Sequence, residues 1–175
     1  EPTKLGMTGH APTLKIGLSE KSKYEKVWTL DAYRRICHGE LTASEFIKHA
    51  RPVKGETVIE FGCGTGRSGL MLYFLAGRKP MGVEIAFNAL DADIREESEK
   101  NPEKWKFIRH DLSQWPYPKE LKDAKYGYCT DVMEHIPPEQ VELVLKNILR
   151  SARHVFFSIC NRPDNVDALA QAGID

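Results

Sequence analysis

The stretch Thr57 to Gly69, Thr-Val-Ile-Glu-Phe-Gly-Cys-Gly-Thr-Gly-Arg-Ser-Gly, limits what this chain can fold into more than any other. Thr57 to Phe61 is β-branched and apolar with no breaker inside it, which predicts a buried strand. Gly62, Gly64 and Gly66 follow at alternate positions, and Ser68 to Ala76 then carries the apolar content of a helix. Strand, glycine turn and helix together open a mononucleotide-binding unit. Glycines permit positive φ and let a ligand lie against bare backbone, while the helix N-terminus offers unpaired N–H groups.

The ligand can be narrowed from the same residues. A dinucleotide fingerprint is present as Gly64-x-Gly66-x-x-Gly69, a weak signal alone. It starts beyond the strand end rather than directly on it. Glu60 also stands at the turn's entrance, where its charge opposes a phosphate and suits an ammonium. The pattern Glu60-x-Gly62-x-Gly64-x-Gly66 resembles motif I of the class I S-adenosylmethionine-dependent methyltransferases. The cofactor of that family presents an amino acid end and no phosphate. The resemblance implies that Glu60, Gly62, Cys63, Gly64 and Gly66 surround that end.

Further along, Met81 to Ile85 reads as a second strand with Glu84 at its end, 18 residues beyond Gly66. An acid there can accept bonds from both ribose hydroxyls, as in nucleoside-binding α/β units, with Ile85 beside it. Asn88 to Lys100 is predicted helical, with Leu90 and Ile94 inward. Trp105 to Arg109 makes a third strand, followed by His110-Asp111-Leu112. By the same resemblance, Asp111 would hold the adenine amino group and the Leu112 N–H would meet the ring. The aromatics of Trp115-Pro116-Tyr117-Pro118 either lie along the adenine or cover the sheet edge.

Ala124 to Thr130 is the fourth predicted strand. It runs into Asp131-Val132-Met133-Glu134-His135-Ile136, which is similar to the segment after strand four in many small-molecule methyltransferases. Pro137-Pro138 opens an amphipathic helix with Val141, Val144, Leu145, Ile148 and Leu149 at helical spacing. His154 to Cys160 is a fifth strand, and Asn165 to Ala172 is weakly helical. Five alternations of strand and helix imply an α/β fold, a doubly wound parallel sheet with the Rossmann-like core of the family. A complete class I methyltransferase adds two strands, and this sequence stops before them.

Ahead of this core, residues 1–20 read as a flexible arm and 21–51 as a helical cap over the cofactor site, leaving 52–175 as the methyltransferase domain. The cap comprises short helical pieces around Tyr24, Val27 and Trp28 and around Tyr33 and Ile36. A further helix is capped at Thr42 or Ser44. Tyr24 and Trp28 either close the site or pack the cap on the core.

Composition excludes several other functions. Lys+Arg 25 balances Asp+Glu 25, so broad phosphate-backbone binding by nucleic-acid partners is disfavoured. Cys37, Cys63, Cys129 and Cys160 form no CxxC pair and read as reduced thiols of a cytoplasmic protein. No apolar run spans a membrane, and oligomeric state is not encoded in any feature of the chain. The Asn/Asp-Pro-Pro-Tyr tetrapeptide of amino-methylating DNA enzymes is absent, as is the Pro-Cys nucleophile of the cytosine-carbon enzymes. A small-molecule acceptor is therefore expected, with RNA or protein behind it. A noncatalytic cofactor-binding module and a nicotinamide oxidoreductase are the rivals.

A methyl on a sulfonium is already activated, so the chain needs mainly to align the acceptor and exclude water. Asp131 and His135 are the expected catalytic positions, Asp131 also as a contact of the cofactor and His135 as base or as a shaper of the pocket. Asp131, Glu134 and His135 also offer three possible ligands to a divalent ion, like the Glu-x-x-Glu-His cluster of some related enzymes. Asp is one methylene shorter than the first Glu of that cluster, and no metal is expected.

Overall fold

The computed structural model describes residues 13–161, and side-chain surroundings from residue 20. The helical tendency expected at Asn165 to Ala172 lies outside the described residues. Five strands, β1 (Thr57–Phe61), β2 (Lys79–Glu84), β3 (Lys106–Arg109), β4 (Ala124–Thr130) and β5 (Ala152–Ser158), form one parallel sheet in the order β3-β2-β1-β4-β5. From β1 the chain winds outward through β2 and β3, then returns to the other side of β1 for β4 and β5. The α/β, doubly wound fold expected from sequence is the one observed.

Side-chain alternation along β1 sorts the core into two layers. Ile59 and Phe61 point to one face, where they meet Val144 and Ile148 of α6 (Val141–Ser151). Val58 points to the other, onto Ala43 and Phe46 of α3 (His38–Ala50) and Leu72 of α4 (Arg67–Ala76). A third cluster, Cys63, Leu90, Ile94 and Trp105, joins the glycine turn to α5 (Ala92–Lys100). By the same alternation Glu60 faces α4, so a carboxylate enters the buried layer directly beneath that helix's first turn.

Most differences from the sequence reading are shifts of element ends. α1 (Thr13–Val27) starts inside the stretch expected to be an arm, and α2 (Asp31–Arg34) is a single turn. α3 begins at His38, ahead of the caps expected at Thr42 or Ser44, with no side-chain cap bond at Cys37. Tertiary contact overrides the capping signal here. Gly39 lets the helix start lie so close that a Cβ would sit 2.6 Å from Ser68 Oγ. Thr42 Oγ1 instead bonds the His38 carbonyl and the Tyr128 hydroxyl. α3 is thus largely a core helix. Trp105 precedes β3 and is wholly buried rather than being a strand residue. β5 starts two residues earlier than expected, and a short 3-10 turn at Pro138–Gln140 leads into α6. Among the described residues no helix is long and apolar enough to cross a membrane.

Candidate functional site

Parallel α/β sheets bind ligands beyond the carboxyl ends of their strands, where the winding direction reverses. Here that point lies between β1 and β4. The chain leaves β1 through Gly62 (φ 71) and Gly64 (φ 50), a left-handed conformation that an L side chain resists. Space enforces glycine as well. A Cβ on Gly62 would meet Val132 Cγ2 at 2.4 Å, and one on Gly64 would meet the Trp28 ring at 2.9 Å.

A cleft of about 1070 Å³, its open mouth included, lies above this turn. Its walls include Glu60, Gly62, Cys63, Gly64, Glu84, Ile85, Asp111, Leu112, Asp131 and His135. Of the residues singled out from sequence for cofactor or catalysis, only Gly66 is outside the wall. It stands at the N-cap of α4 with φ 80.

Four of the turn's backbone donors are already engaged. Gly62 and Cys63 N–H both donate to the Val83 carbonyl, at 2.8 and 3.0 Å, and Gly66 N–H donates to Cys63 O. Gly64 N–H donates to Glu84 Oε2 at 3.2 Å. A pyrophosphate cradle needs those N–H groups unspent and no carboxylate among them. This turn has the opposite character.

Two buried carboxylates give the cleft its electrostatics. Glu84, 7% exposed, also takes the N–H groups of Ile85 and Ala86 at 2.9 and 3.0 Å. Burial raises its pKa above the usual carboxylate range despite these bonds. Glu60, 3% exposed, accepts the Ser68 hydroxyl on Oε1, while Oε2 has no partner among the described residues. Burial pushes its carboxyl up to about 8, and the nearby charge of Glu84 adds to the shift. Cys63 beside them is buried, with its thiol raised well above the ordinary value for the same reason.

Asp111 Oδ1 accepts the Ser113 N–H and hydroxyl at 2.8 and 2.7 Å, forming a side-chain-stapled turn. The Leu112 carbonyl is held by Tyr117 Oη and Asn147 Nδ2. Tyr117 is buried, and Trp115 lies under the Arg150 guanidinium. Neither lines the cleft, so these aromatics cover the sheet.

After β4 the chain turns sharply. Asp131 has φ 58, and a 3-10 turn at Met133–His135 follows. Asp131 Oδ2 is 2.8 Å from His38 Nδ1. Glu134 Oε1 accepts the Cys160 N–H, and His135 packs edge-on against Tyr24 with ring centroids 6.1 Å apart. The titratable atoms that gather within 4.8 Å of one another are those of Asp131, Glu134 and Cys160, with Cys160 in place of His135 from the sequence triplet.

Trp28 was expected either to close the site or to pack the cap, and the residues that sequence reasoning missed lie mainly in what anchors it. Trp28 stands over Gly64, and Arg34 fixes it there. Arg34 donates to the carbonyls of Trp28 and Asn88 and pairs with Asp91 at 2.6 Å, while Arg67 holds the other Asp91 oxygen at 2.6 Å. Asn88 Nδ2 in turn donates to Glu25 O on α1. His38 was also missed, because its partner Asp131 is distant in sequence.

Against known proteins, a family described as "methyltransferase domain" matches residues 58–154. No curated protein matches the sequence. Among solved structures, phosphoethanolamine N-methyltransferase 2 of Haemonchus contortus is similar at TM-score 0.58 and 14% identity. It covers 77% of this chain and 33% of its own, and its crystals hold phosphomonomethylethanolamine and S-adenosylhomocysteine. A sarcosine dimethylglycine methyltransferase from Galdieria sulphuraria, described with reservation as such, is similar at TM-score 0.54 and 16% identity, covering 66% and 41%. The [4+2]-cyclase SpnF is similar at TM-score 0.53 and 17% identity, covering 65% and 40%. These likenesses show the fold, and the chain spans less than half the length of each of the three.

Proposed function

The chain belongs to the methyltransferase-domain family, and from that premise we propose that it is an S-adenosylmethionine-dependent methyltransferase with a small-molecule acceptor. One observation carries the cofactor reading: two buried carboxylates, Glu60 and Glu84, flank a glycine turn in which the N–H groups of Gly62, Cys63, Gly64 and Gly66 are already engaged. Such a site favours a ligand with a cationic amino acid end, which draws Glu60 into its ionised form, and with ribose hydroxyls for Glu84.

In this reading Glu84 takes the ribose hydroxyls, with Ile85 alongside. Asp111 and the Leu112 backbone meet the adenine. Gly62, Cys63 and Gly64 lie against the methionine end, with Glu60 beneath. When bound, the cofactor supplies a methyl group already activated on a sulfonium. The chain's own task is then alignment and exclusion of water. Trp28 and Tyr24 from the cap wall the cleft on that side.

A small acceptor is supported by the acceptors named for the two similar methyltransferases and by the zero net charge. A cytoplasmic setting is supported by four free cysteines. Because the fold also serves a cyclase, the reaction must be argued from the site and not the fold.

Calorimetry tests the reading. S-adenosylmethionine or S-adenosylhomocysteine is expected to bind and NAD is not. Tighter binding of NAD would overturn the proposal. Gly64→Val should abolish cofactor binding while far-UV circular dichroism stays native, since Val resists φ 50 and fills space shared with Trp28. Normal binding by that variant would mean that the ligand does not approach the turn.

A further inference from the structure

The cleft contains an oriented acid–imidazole pair. His38 opens α3, Asp131 is the first residue after β4, and Nδ1 and Oδ2 lie 2.8 Å apart. Both residues line the cleft at the junction between β1 and β4.

The pair is poorly explained as a structural tie. The side chains of His38 and Asp131 are 50% and 28% exposed, and an ion pair so open contributes about 0–1 kcal/mol. α3 is held independently, by Phe46 in the core and by the Tyr128 hydroxyl on the Gly39 carbonyl. Asp131 also sits in the left-handed region at φ 58, which costs a non-glycine residue roughly 1–2 kcal/mol. Its N–H bond to Ser158 O at 2.9 Å helps hold that conformation. Backbone strain of this kind collects where a side chain must be aimed.

A carboxylate against Nδ1 keeps the proton of neutral imidazole on that nitrogen and leaves the Nε2 lone pair open. The His38 ring is also exposed enough to pass a proton on to water. We propose that His38, oriented by Asp131, is the base that takes the proton from a methyl acceptor bearing N–H or O–H. The inference rests on the methyltransferase reading above and narrows its substrate class to protic nucleophiles.

The step balances as follows. The acceptor heteroatom forms the new bond to the methyl carbon, and the pair of the broken carbon–sulfur bond stays on sulfur. The heteroatom's proton goes to His38 Nε2. Asp131 stabilises the resulting imidazolium, which then loses its proton to solvent. His38 is the catalytic residue and Asp131 the positioning one. Other titratable groups on the cleft walls come from α1 (Glu20, Tyr24), α2 (Tyr33), the link before α3 (Cys37), β1 and its turn (Glu60, Cys63), β2 (Glu84), the stretch after β3 (His110, Asp111) and the turn after β4 (His135). Comparison of Asp131→Asn with the unchanged chain isolates the pair from these.

The test uses the full chain, His38→Ala and Asp131→Asn, with three readouts. Calorimetry with S-adenosylhomocysteine should give nearly unchanged affinity in His38→Ala. Turnover of S-adenosylmethionine with a panel of small amines and alcohols should fall roughly 100-fold or more in His38→Ala. Added imidazole should restore part of it. Ring-nitrogen NMR should show neutral His38 protonated on Nδ1, and this preference should weaken in Asp131→Asn. His38→Gln replaces the Ala variant if that one does not fold. Normal turnover without His38, or a neutral ring protonated on Nε2, overturns this inference alone. Failure of the unchanged chain to bind the cofactor overturns the methyltransferase reading, and this inference falls with it.

Discussion

Glu84 combines two tasks that are usually separate. Its oxygens accept three backbone N–H groups, from Gly64, Ile85 and Ala86, and so hold the glycine turn against the end of β2. The same carboxylate faces the cleft, where the ribose is expected. Glu84→Ala should therefore weaken cofactor binding by about 1–3 kcal/mol, the cost of leaving buried partners unpaired. Asp111→Ala should cost less, because the Leu112 backbone still meets the base. Glu84→Gln separates the two tasks. It retains one carbonyl acceptor for the turn, so a Gln variant binding nearly as well as the unchanged chain would assign the Ala effect to turn geometry. Calorimetry on the three variants decides the order, and a larger loss for Asp111→Ala would mean that the adenosine lies differently.

At the level of elements, the cap depends on a small number of contacts. α1 and α2 are joined to the core partly through Arg34, whose guanidinium reaches the Trp28 carbonyl, the Asn88 carbonyl and Asp91 together. Arg34→Ala should loosen Trp28 from above Gly64 and weaken cofactor binding by up to roughly 1.5–3 kcal/mol, the range for charge-assisted hydrogen bonds. Thermal stability should change little, since the sheet and its two core layers do not involve Arg34. Arg67→Ala is the control, because Arg67 holds the same Asp91 without touching the cap. Equal losses in both variants would show that the salt-bridge cluster acts on α4 rather than on the cap. This anchor was invisible in the sequence, whereas β1, the glycine turn and α4 were plain in it. The difference is physical. An apolar run followed by alternating glycines is a local pattern with few alternatives. Arg34 meets Asp91, and His38 meets Asp131, only after the sheet has brought distant segments together. The start of α3 was misplaced for the same reason, since Gly39 packing on Ser68 decided it rather than the capping residues nearby.

For the whole molecule, the buried carboxyl of Glu60 makes stability depend on pH. Its pKa is about 8 in the folded chain against an ordinary 4.5, with burial as the chief cause. Between those values the folded state holds a proton that the unfolded chain has released. Linkage then fixes the sign: this contribution is whole below about 4.5, declines as pH rises toward 8, and is level beyond it. Glu60→Gln keeps an acceptor for the Ser68 hydroxyl and cannot ionise. Urea midpoints measured from pH 5 to 9 should show the unchanged chain losing stability relative to Glu60→Gln up to about pH 8 and no further. A flat difference would mean that Glu60 is ionised throughout. The ligand connects this titration to function. A cation bound above β1 favours the ionised carboxyl, so cofactor binding near neutral pH should expel protons. Binding heats measured in buffers of different ionisation enthalpy should therefore diverge for the unchanged chain and converge for Glu60→Gln. Equal divergence in both would place the released proton on another group.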